Sequence, residues 1–159
     1  MNPTKTAVIG VGKLGRNHAR WYSAIETSDL VGVFDANAER CAEVAGEFST
    51  RAFSSLAEAL ESAEAVSVAT PTTTHYEIAL QALECRAHVL IEKPITADVS
   101  QARALIEAAG RNSRELAVGH IERFNPAYRA LAGMSLRPRF IEAHRLAAFS
   151  PRSADVAVI

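Results

Sequence analysis

Short blocks of nearly unbroken apolar residues alternate along this chain with longer runs whose apolar positions recur every three or four residues. The blocks are Thr4–Ile9, Leu30–Phe34, Ala65–Ala69, His88–Ile91 and Glu115–Val118, with a shorter one near Arg51–Phe53. A strand covered on one face alternates apolar and polar positions; these blocks do not, so they read as strands buried on both faces. The longer runs read as helices at Lys13–Ile25, Ala38–Phe48, Ser54–Ser62, Thr74–Leu83 and Ser100–Ala109. Start signals support them: Ser54 ahead of Leu56-Ala57-Glu58, Pro71 with Thr72 to Thr74, and Asp98 ahead of Val99. Gly110 is expected to stop the last helix. On the first helix, Trp21 and Tyr22 at helical spacing from Leu14 and Ile25 are expected in the core and at its rim, and His18 in a solvated or packing role. The alternation predicts an α/β fold with a doubly wound parallel sheet. Its right-handed crossovers place ligands beyond the carboxyl ends of the strands.

The first strand runs directly into Gly10-Val11-Gly12-Lys13-Leu14-Gly15, a G-x-G-x-x-G turn that opens a helix. Twenty residues beyond Gly15, at the end of the second apolar block, stands Asp35. A glycine triplet alone is weak evidence, but a strand before, a helix after and an acid at this distance together describe a dinucleotide pocket. Gly10 allows the tight turn, Gly12 lets the backbone approach a pyrophosphate, and Gly15 lets the helix pack close to the sheet. Lys13 and Leu14 complete the turn. The N–H groups and positive dipole end of the helix face the diphosphate. Asp35 can accept from both hydroxyls of the adenosine ribose and repels a 2′-phosphate. It therefore favours NAD over NADP, a preference that Arg40 nearby could soften.

Composition narrows the class without changing it. The 159 residues carry 17 basic and 18 acidic side chains, a net charge of −1, with no basic stripe for nucleic acid. Cys41 and Cys85 have neither metal-ligand spacing nor the pattern of a disulfide framework, which points to a reducing cytoplasm and to no metal. No secretory leader is read at the start, and no apolar stretch approaches the roughly 20 residues that span a bilayer.

Three further polar clusters follow strands and should emerge at the rim of the glycine turn: Thr70-Pro71-Thr72-Thr73-Thr74-His75, Glu92-Lys93-Pro94, and Gly119-His120-Ile121-Glu122-Arg123-Phe124-Asn125-Pro126. The Gly10–Gly15 fingerprint, the Thr70-Pro71…His75 turn and the Glu92-Lys93-Pro94 tripeptide, in this order and strand context, resemble the N-terminal half of the Gfo/Idh/MocA oxidoreductases. The stretch 119–127 resembles members acting on nucleotide sugars. The resemblance implies a Rossmann domain over residues 1–121. It also implies NAD-dependent oxidation of a secondary alcohol of a sugar or nucleotide sugar, with Lys93 as the catalytic residue beside the nicotinamide. An ammonium there can hydrogen-bond the alcohol oxygen and relay its proton. Glu92 would hold a nicotinamide ribose hydroxyl or Lys93 itself. Pro94 would fix a turn that often has a cis bond, Thr70 and Pro71 would contact the cofactor, and His75 would lie near the nicotinamide. His120, Arg123 and Asn125 are candidates to face substrate, Arg123 through its forked donors to a phosphate.

Family members run well beyond this length into an α+β domain that holds the substrate and often makes the oligomer. Residues 122–159 read as the start of such a domain, with Arg139–Leu146 its first strand, and the end at Asp155–Ile159 reads as a truncation. A family pattern like D-x-x-x-H with a second catalytic histidine is missing, and His144 is not promoted to that role. The expectation is a cofactor-binding half that turns over poorly alone and forms homo-oligomers through its C-terminal segment. The alternatives are a stand-alone dinucleotide-binding or redox-sensing module, or a subunit completed by another chain.

Overall fold

The computed structural model describes residues 2–135, 137–142 and 144. Five parallel strands form one sheet: β1 (Thr4–Ile9), β2 (Ser28–Phe34), β3 (Ala65–Val68), β4 (His88–Ile91) and β5 (Leu116–Val118), in the spatial order β2-β1-β3-β4-β5. The block near Arg51–Phe53 contributes a single parallel bridge, Ala52 to Val33, outside β2. With that bridge included, the order is that of a doubly wound Rossmann sheet, and strand direction reverses its progress between β1 and β3.

The buried faces follow from the two-residue period of a strand. Ala7 and Ile9 of β1 join Val66, Val68, Val89 and Ile91 on one face. There they meet the helices α3 (Leu56–Ser62), α4 (Thr72–Glu84) and α5 (Val99–Asn112) through Ala59, Leu60, Ala79, Ala82, Leu83, Leu105 and Ala108. Val8 and Val33 point the other way, against Ala19 of α1 (Lys13–Ala24) and Cys41, Val44 and Ala45 of α2 (Ala38–Glu47). Small residues dominate the helix side of both layers, so the helix axes can lie close to the sheet.

Caps explain where most helices begin. Asn37 accepts from the Arg40 N–H at α2, Ser55 from Glu58 at α3, and Asp98 from Gln101 at α5. The α3 cap is thus Ser55, one residue later than the sequence signal. Ser54 instead bonds the Glu58 carboxylate, which reaches back to the Ser54 N–H. Gly110 does not stop α5: the helix continues to Asn112, and Ser113 takes the left-handed conformation with φ 53°. Trp21 departs from its core expectation. It is 64% exposed, because the inward face of α1 is made by Gly15 and Ala19, with Tyr22 half-buried beside them.

Contacts divide the chain into two units, Met1–Gly119 and His120–Ile159. In the second, a 3-10 turn (Ile121–Phe124) precedes α6 (Pro126–Ala132), which Asn125 caps by accepting from the Ala127 N–H. No strand forms among residues 137–142 and 144; the remainder of the expected Arg139–Leu146 strand and the Asp155–Ile159 end lie outside the described residues. No helix among the described residues is long and apolar enough to cross a membrane.

Glycine accepts a left-handed conformation without the penalty that a Cβ brings. Ser113→Gly should therefore stabilise the chain by about 0.5–1 kcal/mol, read as a higher urea midpoint at unchanged slope. An unchanged or lower midpoint would show that Ser113 is held there by contacts worth more than its strain.

Candidate functional site

Each glycine of the first turn is small for a different reason. Gly10 has φ +84°, and a Cβ on it would fall 2.7 Å from the Thr70 methyl and 2.9 Å from the Ala69 carbonyl. A Cβ on Gly15 would fall 1.8 Å from the Gly10 carbonyl oxygen, so this position lets the first turn of α1 close over the end of β1. Gly12 is unlike both: nothing in the protein lies within 4 Å of where its Cβ would stand. The fold itself does not require a glycine there; a ligand approaching the backbone would.

The N-terminus of α1 has the same character. Gly12 is its N-cap, and no side chain caps it, whereas α2, α3 and α5 all have side-chain caps. The helix that opens at the strand-order reversal thus keeps its first N–H groups for something else. Lys13 and Leu14 beside it are exposed.

Asp35 ends β2 next to this turn, and its side chain is nearly buried. Its Oδ2 accepts from the Val11 N–H at 2.8 Å and from Arg40 Nε at 3.1 Å. Its Oδ1 accepts from the Asn37 N–H at 2.8 Å and from Arg40 Nη2 at 2.7 Å. Burial is the largest single influence and pushes the carboxyl up. The combined bonds from Arg40, Asn37 and Val11 outweigh it and leave Asp35 below its ordinary value, hence ionised. Arg40 therefore does more than lie nearby: its fork grips the carboxylate that the sequence marks for the ribose. Beside Asp35 an open depression of about 300 Å³ is lined by Phe34, Ala36, Ala38, Cys41, Ala52, Phe53 and Ser54, mostly apolar and able to take a flat heterocycle.

The loops after β3 and β4 meet above the same end of the sheet. Thr70 abuts Gly10, and its hydroxyl accepts from Thr74 at 2.8 Å. Pro71 precedes α4, which likewise lacks a side-chain cap. His75 is 1% exposed. Its ring nitrogens lie 2.9 Å from the Pro94 carbonyl and 2.9 Å from the Thr70 carbonyl. The structure thus places His75 beneath the two loops as a brace between them, with neither nitrogen turned to the open crevice. The Lys93–Pro94 peptide is cis, the isomer that the family resemblance leads one to expect.

Glu92 is buried at the end of β4. One carboxylate oxygen lies 3.0 Å from His18 Nε2, and the other accepts from the Lys93 N–H at 3.2 Å. The His18 bond is the main reason that its carboxyl sits below the ordinary value, against an opposing push from burial. The Lys93 side chain is exposed, and no hydrogen bond or salt bridge within the described residues ties its ammonium down. The sequence gives His18 only a solvated or packing role, Tyr22 only a place in the core or at its rim, and Ser67 none, although the three share one hydrogen-bonded group. The available signal was Ser67, a hydroxyl between Val66 and Val68 in a strand buried on both faces, where a polar group needs a partner.

In the second unit, His120 and Arg123 are exposed. Asn125 spends its side chain on the α6 cap and on Glu122.

Comparison with known proteins follows the same lines. Residues 4–120 match the family model GFO_IDH_MocA, described as an oxidoreductase family with an NAD-binding Rossmann fold. The chain is 52% identical over 157 residues to UDP-N-acetylglucosamine 3-dehydrogenase of Acidithiobacillus ferrooxidans, covering 98% of this chain and 49% of that protein. A crystal structure of that dehydrogenase superposes with a TM-score of 0.88 at 51% identity, covering 98% of this chain and 52% of the other. GenD2 from gentamicin A biosynthesis, solved in complex with NAD, superposes at 0.79 and 33% identity over 84% of this chain and 40% of that one. The chain spans about half the length of the relatives it matches.

Gly12→Ala should leave the urea midpoint within about 0.5 kcal/mol of the parent and yet weaken dinucleotide binding about tenfold or more, since a methyl group would fill the approach to the diphosphate. Gly15→Ala should instead destabilise the fold by several kcal/mol, roughly the upper range for single substitutions. The reverse pattern would mean that Gly12 is structural and the crevice lies elsewhere.

Proposed function

The chain belongs to the Gfo/Idh/MocA oxidoreductase family, and on that footing we propose that it is the cofactor-holding part of an NAD-dependent dehydrogenase of nucleotide sugars, UDP-N-acetylglucosamine foremost. The observation that carries this reading is the pairing of two features at one rim: an uncapped helix start with open space over Gly12, and an untethered lysine on the neighbouring loop. The nucleotide-sugar part rests on the dehydrogenase of Acidithiobacillus ferrooxidans, which is similar over 98% of this chain.

The residues present fit NAD. Gly10, Gly12, Lys13, Leu14 and Gly15 would receive the diphosphate, Asp35 the adenosine ribose, and the depression beside it the adenine. Thr70 and Pro71 border the passage toward the nicotinamide end, where Glu92 would hold a ribose hydroxyl. His75 supports that passage from below. Bound there, the dinucleotide supplies the hydride acceptor for an alcohol carbon.

This chain supplies the proton chemistry. As a secondary alcohol becomes a ketone, negative charge develops on its oxygen and the hydroxyl proton must leave. The Lys93 ammonium, at the mouth of the crevice, can hydrogen-bond that oxygen and stabilise the charge. In its neutral form the amine takes the proton. Glu92, ionised and held by His18, keeps the local field negative close to Lys93 without pairing with its ammonium. His120 and Arg123 remain candidates for the sugar-nucleotide side, and Asn125 for shaping the segment that carries them.

Calorimetric titration of the 159-residue chain should show micromolar NADH binding and NADPH weaker by about tenfold, the size expected for one like-charge contact. Asp35→Ala should narrow that gap by weakening NADH more than NADPH. Equal losses would make Asp35 structural, and no binding of either would overturn the cofactor reading.

Lys93→Ala should leave NADH affinity within about twofold while lowering any turnover of UDP-N-acetylglucosamine by about 100-fold or more, the usual cost of losing a group that meets developing charge. Turnover that survives the substitution would remove Lys93 from the chemistry.

A further inference from the structure

A buried polar chain crosses from α1 to the end of β4. The Ser67 hydroxyl, with no exposure at all, lies 2.7 Å from the Tyr22 hydroxyl and 3.0 Å from His18 Nδ1. The other ring nitrogen of His18 lies 3.0 Å from Glu92 Oε1. The carboxylate fixes the direction of the last step. An ionised carboxylate can only accept, so His18 Nε2 carries the proton and donates. Where Nδ1 accepts, Ser67 donates to it and Tyr22 donates to Ser67. In that arrangement three donors in series point at one carboxylate oxygen, each polarising the next.

Two other constraints close on the same carboxylate. Oε2 accepts from the Lys93 N–H. On the far side, a Cβ on Gly119 would stand 3.0 Å from Oε1, so any larger residue just after β5 would press the carboxylate by a few tenths of an ångström. Buried ionic contacts of this kind add little stability compared with apolar packing of the same volume. What they add is a fixed position, because a polar chain is satisfied in one arrangement only.

We infer that His18 is a positioning residue: it locks Glu92, and with it the Lys93–Pro94 turn, to the helix whose N-terminus faces the diphosphate. The inference rests on the reading of Glu92 and Lys93 as the nicotinamide side of the cofactor crevice. It goes further in tying the two ends of that crevice together. The helix that would receive the diphosphate and the loop that would carry the reacting lysine become one rigid piece, with His18 as the joint.

ADP and NADH separate this role from simple packing in α1. ADP probes the adenosine and diphosphate half alone; NADH adds the nicotinamide half. In the 159-residue chain, His18→Ala should weaken NADH about tenfold and leave ADP within twofold. His18→Gln, whose amide can still donate to Glu92, should recover most of the lost NADH affinity. In a Glu92→Ala background, which removes the acceptor, His18→Ala should cost little more, because the two act through one contact. Equal losses of ADP and NADH, no recovery with glutamine, or additive losses in the double variant would each overturn the inference while leaving the cofactor reading intact. If the unaltered chain binds ADP and not NADH, the cofactor reading and this inference fall together. Circular dichroism of each variant identifies an unfolded one, and His18→Gln then carries the decision alone.

Discussion

The contact between Gly15 and the Gly10 carbonyl governs the rest of this molecule. A side chain at position 15 would overlap that oxygen, so glycine alone lets α1 turn back immediately over β1. That closeness puts the start of the helix at the place where the sheet changes its direction of growth. It brings Val11 to the Asp35 carboxylate and the second turn of α1 down to Ser67 and Glu92. A helix set an ångström or two farther out could make neither connection. The glycines of the turn thus do more than bend the chain: they set the height at which every polar group on α1 meets the strands.

Two carboxylates, Asp35 and Glu92, follow the carboxyl ends of β2 and β4, and both are nearly buried and ionised. Each is stabilised by donors from its own neighbourhood: backbone N–H groups and Arg40 at one end, His18 and the Lys93 N–H at the other. Both carboxyl groups end strands, where the backbone has stopped pairing and its N–H groups are free to turn inward. The sheet therefore supplies part of the electrostatics as well as the frame.

Much of this was legible in the sequence. Unbroken apolar blocks placed the strands, and the glycine spacing placed the tight turn of β1 into α1 with Asp35 beside it, because both patterns follow from local geometry. Ends were harder. Ser54 and Ser55 carry the same hydroxyl; Ser55 takes the cap while Ser54 bonds the Glu58 carboxylate, a division that spacing alone does not show. Gly110 sits in the last turn of α5, not after it, because Ala108 and Ala109 bury that turn in the core, overriding the local preference. Trp21 shares its helix with the core-facing Ala19 yet points outward, since the narrow space above β1 admits only glycine and alanine. The His18 group could not be read from spacing alone. Its members lie on α1, β3 and the end of β4, and nothing local in any of the three segments announces the others.

The grip of Arg40 on Asp35 gives ligand recognition at that end the character of an exchange. All four favoured acceptor positions of the carboxylate are already filled by protein donors. A ribose diol gains its bonds only as the guanidinium yields its own, so the net energy from Asp35 is the small difference between two good partners. On the proposed reading, a dinucleotide seated there would trade contacts with the protein instead of adding to them.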